Sequence, residues 1–155
     1  MTSIYNPAFA TNFRLEFAQA THLNYFIQGT TLPGLNAMGI ETPYKGNNTF
    51  FQADRIEYDP LNVTFIIDEG FDNYLYLYHK LLSYRDTERP PQLQEDATLH
   101  ILTSNKTPNL LVTFYGLFLQ SLGEVTFESS TSDSAALMCS AMFRYQQFTI
   151  AKAVT

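Results

Sequence analysis

Across residues 58–82 the hydrophobic pattern changes from a strand repeat to a helical repeat, and this switch constrains the fold most. Leu61, Val63, Phe65 and Ile67 share one strand face, while Asn62, Thr64 and Asp68 share the other. The cluster Asp68, Glu69 and Gly70 breaks the strand, and Asp72 caps or opens a helix. Tyr74, Tyr78, Leu81 and Leu82 then give an apolar stripe at helical spacing. The unit predicts a sheet with one helix packed beside it.

The rest of the chain reads as strands and turns. Residues 1–11 are an N-terminal arm, residues 12–150 one domain, and residues 151–155 a C-terminal tail. Phe13, Leu15 and Phe17 alternate with Asn12, Arg14 and Glu16, giving a first strand with one wet face. A second strand is expected over 22–28, followed by a turn at Pro33 and Gly34. Residues 35–57 read as two strands joined by an exposed loop at 45–49. Residues 85–96, with Pro90 and Pro91, and residues 130–134 are polar surface loops. Strands are expected over 97–103, 110–119, 124–129 and 137–150. The 110–119 strand is apolar on both faces, with Val112, Phe114 and Phe118 opposing Leu111, Tyr115 and Leu117, so both faces need cover. About eight strands and one helix predict an antiparallel β-sandwich or partial barrel with a flanking helix.

Composition excludes several functions. Of 155 residues, 45% are hydrophobic and 15% aromatic, against wholesale disorder. Only 15% are charged, below the roughly 25% usual for soluble domains. A surface this thinly charged favours burial against other chains. A net charge of −6 with no basic run argues against a protein that grips nucleic acid through phosphates. The single cysteine, Cys139, rules out an internal disulfide and reads as a buried thiol. The N-terminus shows no secretory leader pattern, and no window is apolar enough to anchor the chain in a membrane.

No catalytic constellation is legible. His22, His79 and His100 lack metal-ligand spacing, so no metal or cofactor is expected. Asp54, Glu57, Asp59, Asp68 and Glu69 could be paired as acid and base. Asp59, however, precedes a proline in a turn, and Asp68 and Glu69 end a strand before a helix. Nucleophile elbows and glycine-rich phosphate loops are missing. The chain reads as no enzyme.

The segment 58–69 with its helix resembles the tail tube proteins of contractile-tailed bacteriophages, a domain shared with baseplate tube initiators and related injection-machine tubes. Leu32, Pro33, Gly34 and Leu35 resemble the family's short segment after the second strand, and Pro43, Tyr44, Lys45 and Gly46 the start of its exposed hairpin loop. Residues 124–127 and the triplet Phe143, Arg144 and Tyr145 resemble its terminal strands. The resemblance spans roughly residues 12–150, although tryptophan, carried on the helix by some relatives, is missing here. It implies a structural virion protein, a subunit of stacked hexameric rings whose sheets join into one barrel around a channel for DNA ejection. Its implied partners are its own copies, the tail sheath, the baseplate initiator, terminator proteins, and DNA passing without specific binding. Assembly in the host cytoplasm and residence in the phage tail follow.

Candidate ring contacts lie in the arm (Tyr5, Phe9), in Leu32, Pro33, Gly34 and Leu35, and in the loop at Tyr44, Lys45, Asn47, Asn48, Phe50 and Phe51. Candidate lumen-facing residues are Asn12 and Glu16, or Asn62 and Thr64. The rival readings are a tube initiator, another baseplate or neck ring, the tube of a related injection machine, and, from a different class, a small-molecule-binding β-barrel or carboxylate hydrolase.

Overall fold

The computed structural model describes residues 7–85, 95–129 and 135–153. The loops expected at 85–96 and 130–134, and Tyr5, fall wholly or mostly outside them. The chain runs β1 (Phe13–Phe17), a 3-10 helix (Thr21–Phe26), β2 (Ile27–Thr30), β3 (Leu35–Tyr44), β4 (Asn47–Tyr58) and β5 (Leu61–Ile66). It continues with α1 (Asp72–Ser83), β6 (Glu95–Leu102), β7 (Pro108–Leu122), β8 (Met138–Arg144) and β9 (Gln147–Lys152). The mainly β, antiparallel architecture with one flanking α-helix is as the sequence predicts, and the sheet does not close into a barrel.

One strand organises the seven-stranded sheet. The N-terminal half of β7 lies between β6 and β9, and β6 also pairs with β1. Its C-terminal half pairs with β8, which pairs with β5, and β5 with β2. The crossing falls at Gly116, whose φ of +67° suits a residue without a Cβ. A side chain there would also meet Gln146 at 3.0 Å. The kink shifts the alternation by one residue, so β7 buries Val112 and Phe114 before it and Leu117 and Leu119 after it. The expectation of two apolar faces is thereby corrected. Tyr115 and Phe118 point outward, and a single inward row changes parity at the glycine.

The two halves enclose a common core built from β1, β5, β6, β7, β8 and Phe148 of β9. Phe17 and Phe143 meet across it with ring centroids 5.3 Å apart. Burial of each such side chain stabilises the fold by about 1.5–3 kcal/mol. Leu61, Val63, Phe65 and Ile67 are all buried, so the alternation of β5 reads correctly. Residues 21–26 form a 3-10 helix instead of the start of a strand, since Leu23 packs into the core and Asn24 Oδ1 accepts the Phe17 N–H at 3.0 Å. No strand forms over 124–129, where Phe127 is exposed. The expected 137–150 strand is two, β8 and β9, separated at Tyr145 and Gln146 and paired with opposite halves of β7. β9 also takes in Ala151 and Lys152 from the expected tail.

The helix buries a different stripe from the one predicted. Asn73, Leu77 and Lys80 face inward, while Leu75 and Tyr78 are exposed. Polar residues occupy that face because each has a specific partner there. Asn73 Nδ2 donates to the Ile66 carbonyl at 2.7 Å, and its Oδ1 accepts the Tyr74 N–H at 2.8 Å. Asp68 Oδ1 accepts the Asp72 N–H at 2.8 Å, tying the strand end to the helix start. Lys80 Nζ lies 2.8 Å from Glu95 Oε1, with side chains only 7% and 2% exposed. Glu95 Oε2 also accepts the Gln19 N–H at 3.2 Å, and the Lys80 ammonium sits 5.8 Å from the Tyr76 ring centroid.

The β3–β4 hairpin is anchored at its root. Asp59 N–H donates to the Gly34 carbonyl at 3.1 Å, and Asn36 Nδ2 donates to Asp59 Oδ1 at 3.1 Å. A Cβ at Gly34 would lie 2.7 Å from Asp59 Oδ2, so a side chain there would displace the Asp59 carboxylate. The Tyr145 hydroxyl donates to the Asp59 carbonyl at 2.7 Å, and its ring packs on Tyr58, Phe114 and Phe148. Burial, then the charges of Asp59 and Tyr58, push Tyr145 from 10.0 up to about 12, against a smaller opposing effect of Arg144.

Two predictions follow from this packing. Lys80→Met strands the Glu95 carboxylate and should cost about 3–5 kcal/mol in denaturant unfolding, whereas Lys80→Met with Glu95→Leu should recover most of that loss. Tyr145 is neutral in the fold at pH values where an unfolded tyrosine ionises. Its contribution is therefore complete below 10.0 and is lost as pH rises through about 12. Tyr145→Phe should cost about 1 kcal/mol near neutral pH and flatten the alkaline fall in stability measured by unfolding titrations.

Candidate assembly surfaces

The β3 and β4 strands pair only with each other among the described residues, so the hairpin stands apart from the seven-stranded sheet. Lys45 and Gly46 turn it tightly, with φ of +47° and +80°, matching the left-handed turn that suits strand twist. Its register places Ile40 opposite Phe51, Thr42 opposite Thr49 and Tyr44 opposite Asn47 on one face. Glu41 faces Phe50, and Pro43 faces Asn48, on the other. Every β3 residue is exposed, and Phe50, Tyr44 and Phe51 are 72%, 62% and 56% exposed. Asn48 Nδ2 donates to Glu41, and the Lys45 ammonium lies 5.4 Å from the Tyr44 ring centroid. A lone two-stranded hairpin is marginally stable in water. One this long, with large apolar residues in the open, has the composition of a contact surface.

The candidate contact residues Leu32, Pro33, Gly34 and Leu35 form the hairpin root, and Tyr44, Lys45, Asn47, Asn48, Phe50 and Phe51 its outer half. Leu32 and Leu35 are about half exposed, as is Phe9 in the arm, whereas Pro33 is buried and offers no contact surface of its own. Sequence reasoning missed Met38, Ile40 and Ile56, all exposed on the same hairpin. The available signal was the apolar residues Met38, Ile40 and Ile56 within the two strands flanking the loop.

The candidate lumen residues separate. Asn12 is buried, and its Oδ1 accepts from Lys106 Nζ, so it belongs to neither open face. That expectation is corrected: the side chain is buried and engaged by Lys106 of the β6–β7 turn in a partly buried contact. Glu16 lies on the outer face of the β1–β6–β7–β9 half. There its carboxylate meets Arg14 Nε at 2.9 Å and His100 Nε2 at 3.3 Å. Asn62 and Thr64 lie on the outer face of the other half, where Thr64 Oγ1 is 3.5 Å from Ser140 Oγ. Glu16 and the Asn62–Thr64 pair thus lie on different outer faces.

Among the described residues, no three His, Cys, Asp or Glu side chains are grouped to hold a metal ion. No helix among them is long and apolar enough to cross a membrane. Cys139 is a buried free thiol whose Sγ lies 3.4 Å from the Gly123 carbonyl, and burial pushes its pKa up. Asp59, Asp68 and Glu95 hold the hairpin root, the helix start and Lys80 respectively. These carboxylates serve the fold.

No protein-family model matches the chain. Over 164 aligned positions, it is 29% identical to the tail tube terminator protein of Enterobacteria phage T4, covering 98% of this chain and 93% of that one. Among solved structures, a chain of the anti-feeding prophage tube terminating cap superimposes with a TM-score of 0.69 at 13% identity, over 99% of this chain and 96% of that one. A chain of an extracellular contractile injection system, in its extended sheath/tube terminator, gives 0.66 at 12% identity, over 96% and 99%. A chain of the sheath-tube complex of such a system gives 0.64 at 13% identity, over 99% and 100%. This chain is a homologue of a phage tail tube terminator and has the fold shared by tube and terminator components of contractile injection systems.

Proposed function

We propose that this chain is a structural, non-enzymatic subunit of a contractile tail, and that it forms the ring that ends the tail tube. The observation that carries this reading is the near-full-length relation to a phage tail tube terminator. The likeness to a tube terminating cap supports it. The role expected from sequence is the repeating tube subunit, with terminator proteins only among its partners. The relation to the T4 protein favours the terminator.

In this reading the partners are further copies of the chain in a six-membered ring, the last tube ring and the sheath, with DNA passing through the channel unbound. Residues 12–150 act as the ring-forming domain. The exposed hairpin, its root at Leu32–Leu35 and the arm around Phe9 supply the contacts between rings. The apolar side chains of the hairpin favour this use, because burial against a neighbouring ring removes them from water. The net charge of −6 suits a wall that DNA slides past.

A second reading, the repeating tube subunit, is favoured by the likeness to a chain of a sheath-tube complex. Negative-stain electron microscopy separates the two. A terminator should give discrete rings that attach to the ends of preformed tubes. Long tubes from this protein alone would establish the repeating subunit, and a persistent monomer would overturn both. Phe51→Asp, exposed on the hairpin, should leave the circular dichroism spectrum and ring closure intact while reducing attachment to tube ends at least tenfold.

A further inference from the structure

The β3–β4 hairpin consists of two ladders with a break between them. From the pair Ala37–Ile56 to the pair Gly39–Gln52, β4 covers four residues while β3 covers two, so β4 holds two residues more than the ladder can take. The excess falls within Ala53, Asp54 and Arg55, across from Met38. Gly39 stands beside it on β3, and a glycine inside a strand weakens the strand. Because the excess is even, the sides keep their alternation across the break. Ala37, Gly39 and Glu41 stay on one side of β3, with Met38, Ile40 and Thr42 on the other.

The two ladders differ in what holds them. The inner one, residues 35–37 with 56–58, is tied to the body of the subunit. Asp59 bonds to the Gly34 carbonyl and to Asn36, and Tyr145 donates to the Asp59 carbonyl at 2.7 Å. The Tyr58 ring packs on Tyr145 and Phe148, with centroids 5.8 and 5.4 Å away. The outer ladder, residues 39–44 with 47–52, is paired at every step and closed by the Lys45–Gly46 turn, so it is stiff as a unit. All of residues 39–52 are exposed, with both faces of this ladder in water. Only the break joins it to the anchored root. A ladder resists bending through its hydrogen bonds, and that resistance falls where they are interrupted.

We propose that the break in β4 is a hinge, about which residues 39–52 swing as one stiff strap on a fixed root and close onto a neighbouring ring at assembly. The proposal rests on the ring-contact reading above and adds how that contact is reached. Ile40, Phe51 and Tyr44 lie on one side of the strap, while the other carries Glu41 bonded to Asn48, Pro43 and, of the large apolar residues, Phe50. Closure with the Ile40 side inward takes most of the apolar surface of the strap out of water. Fixing the strap costs the freedom of one joint, because its own residues are already ordered by the outer ladder. A subunit that must fit a ring of different sequence gains from such a joint. The partner then sets the angle of the strap, and the body keeps its own packing.

Spin-label distances test the hinge in the full chain, with labelled protein diluted into unlabelled protein. Labels at Thr42→Cys in the strap and His79→Cys on α1 should give a distance distribution about twice as wide as labels at Glu57→Cys in the root and His79→Cys. Cys139 is buried, so the unaltered chain serves as the labelling control. Deleting Asp54 and Arg55 sets Met38 against Ala53 and makes the ladder continuous, with the same sides facing out. The Thr42 distribution should then narrow to the width found at Glu57. The same deletion should reduce attachment to tube ends at least tenfold while leaving the circular dichroism spectrum unchanged. Asp54→Ala with Arg55→Ala keeps both residues in the chain and should attach as the unaltered protein does. Equal widths at Thr42 and Glu57 without the deletion overturn the hinge, whether or not rings form. A deletion variant that attaches normally overturns its part in closure. A wide Thr42 distribution in protein that never attaches to tube ends keeps the hinge and overturns the ring contact it serves.

Discussion

The fold depends on one long strand that serves two halves of a sheet. β7 hydrogen-bonds to β6 and β9 along its first part and to β8 along its second. Every backbone amide and carbonyl in a buried strand needs a partner, and a single straight strand could not satisfy both halves while keeping its apolar residues inward. Gly116 resolves the conflict by shifting the alternation at the crossing. Without that shift, Leu117 and Leu119 would lie in the open, and Phe118 would be driven into the core.

The second constraint is what the fold leaves unfinished. The core is closed by Phe17, Phe114, Phe143 and their neighbours, yet Ile150 and the β3–β4 hairpin remain in water. Neither location offers catalytic chemistry. Both offer what association uses: strand edges unpaired among the described residues and large apolar side chains on a surface with little charge. The buried polar groups work in the opposite sense. Asn73 ties the helix to the end of β5, and the Lys80–Glu95 pair ties it to the start of β6. They hold one arrangement of the subunit, so the open edges are presented in a fixed geometry.

Much of this was legible from residue patterns. β5 could be read because one of its faces is buried and the other wet, the condition under which alternation carries information. The hairpin was recognisable from its turn residues. The helix stripe was misjudged because the residues it buries include Asn73 and Lys80, which hydrophobic spacing counts as exposed. The split of β8 from β9 and the 3-10 helix were missed for a related reason. Both are set by contacts with distant parts of the chain, through β7 in one case and through the core and Phe17 in the other.

The sequence by itself determined the antiparallel, mainly β class, the strand-to-helix unit and the resemblance to contractile-tail tube proteins, because period, turn chemistry and segment order are local properties. It placed Leu32, Gly34, Leu35 and the Tyr44–Phe51 loop among the exposed segments for the same reason, while the structure buries Pro33. Only the tertiary structure decided that Asn12 is buried, that Glu16 and Asn62 lie on opposite outer faces, and that Ile150 ends a core row in the open. Those facts arise from which strands pair and where β7 kinks. Pairing is decided by long-range burial and hydrogen bonding summed over the whole chain.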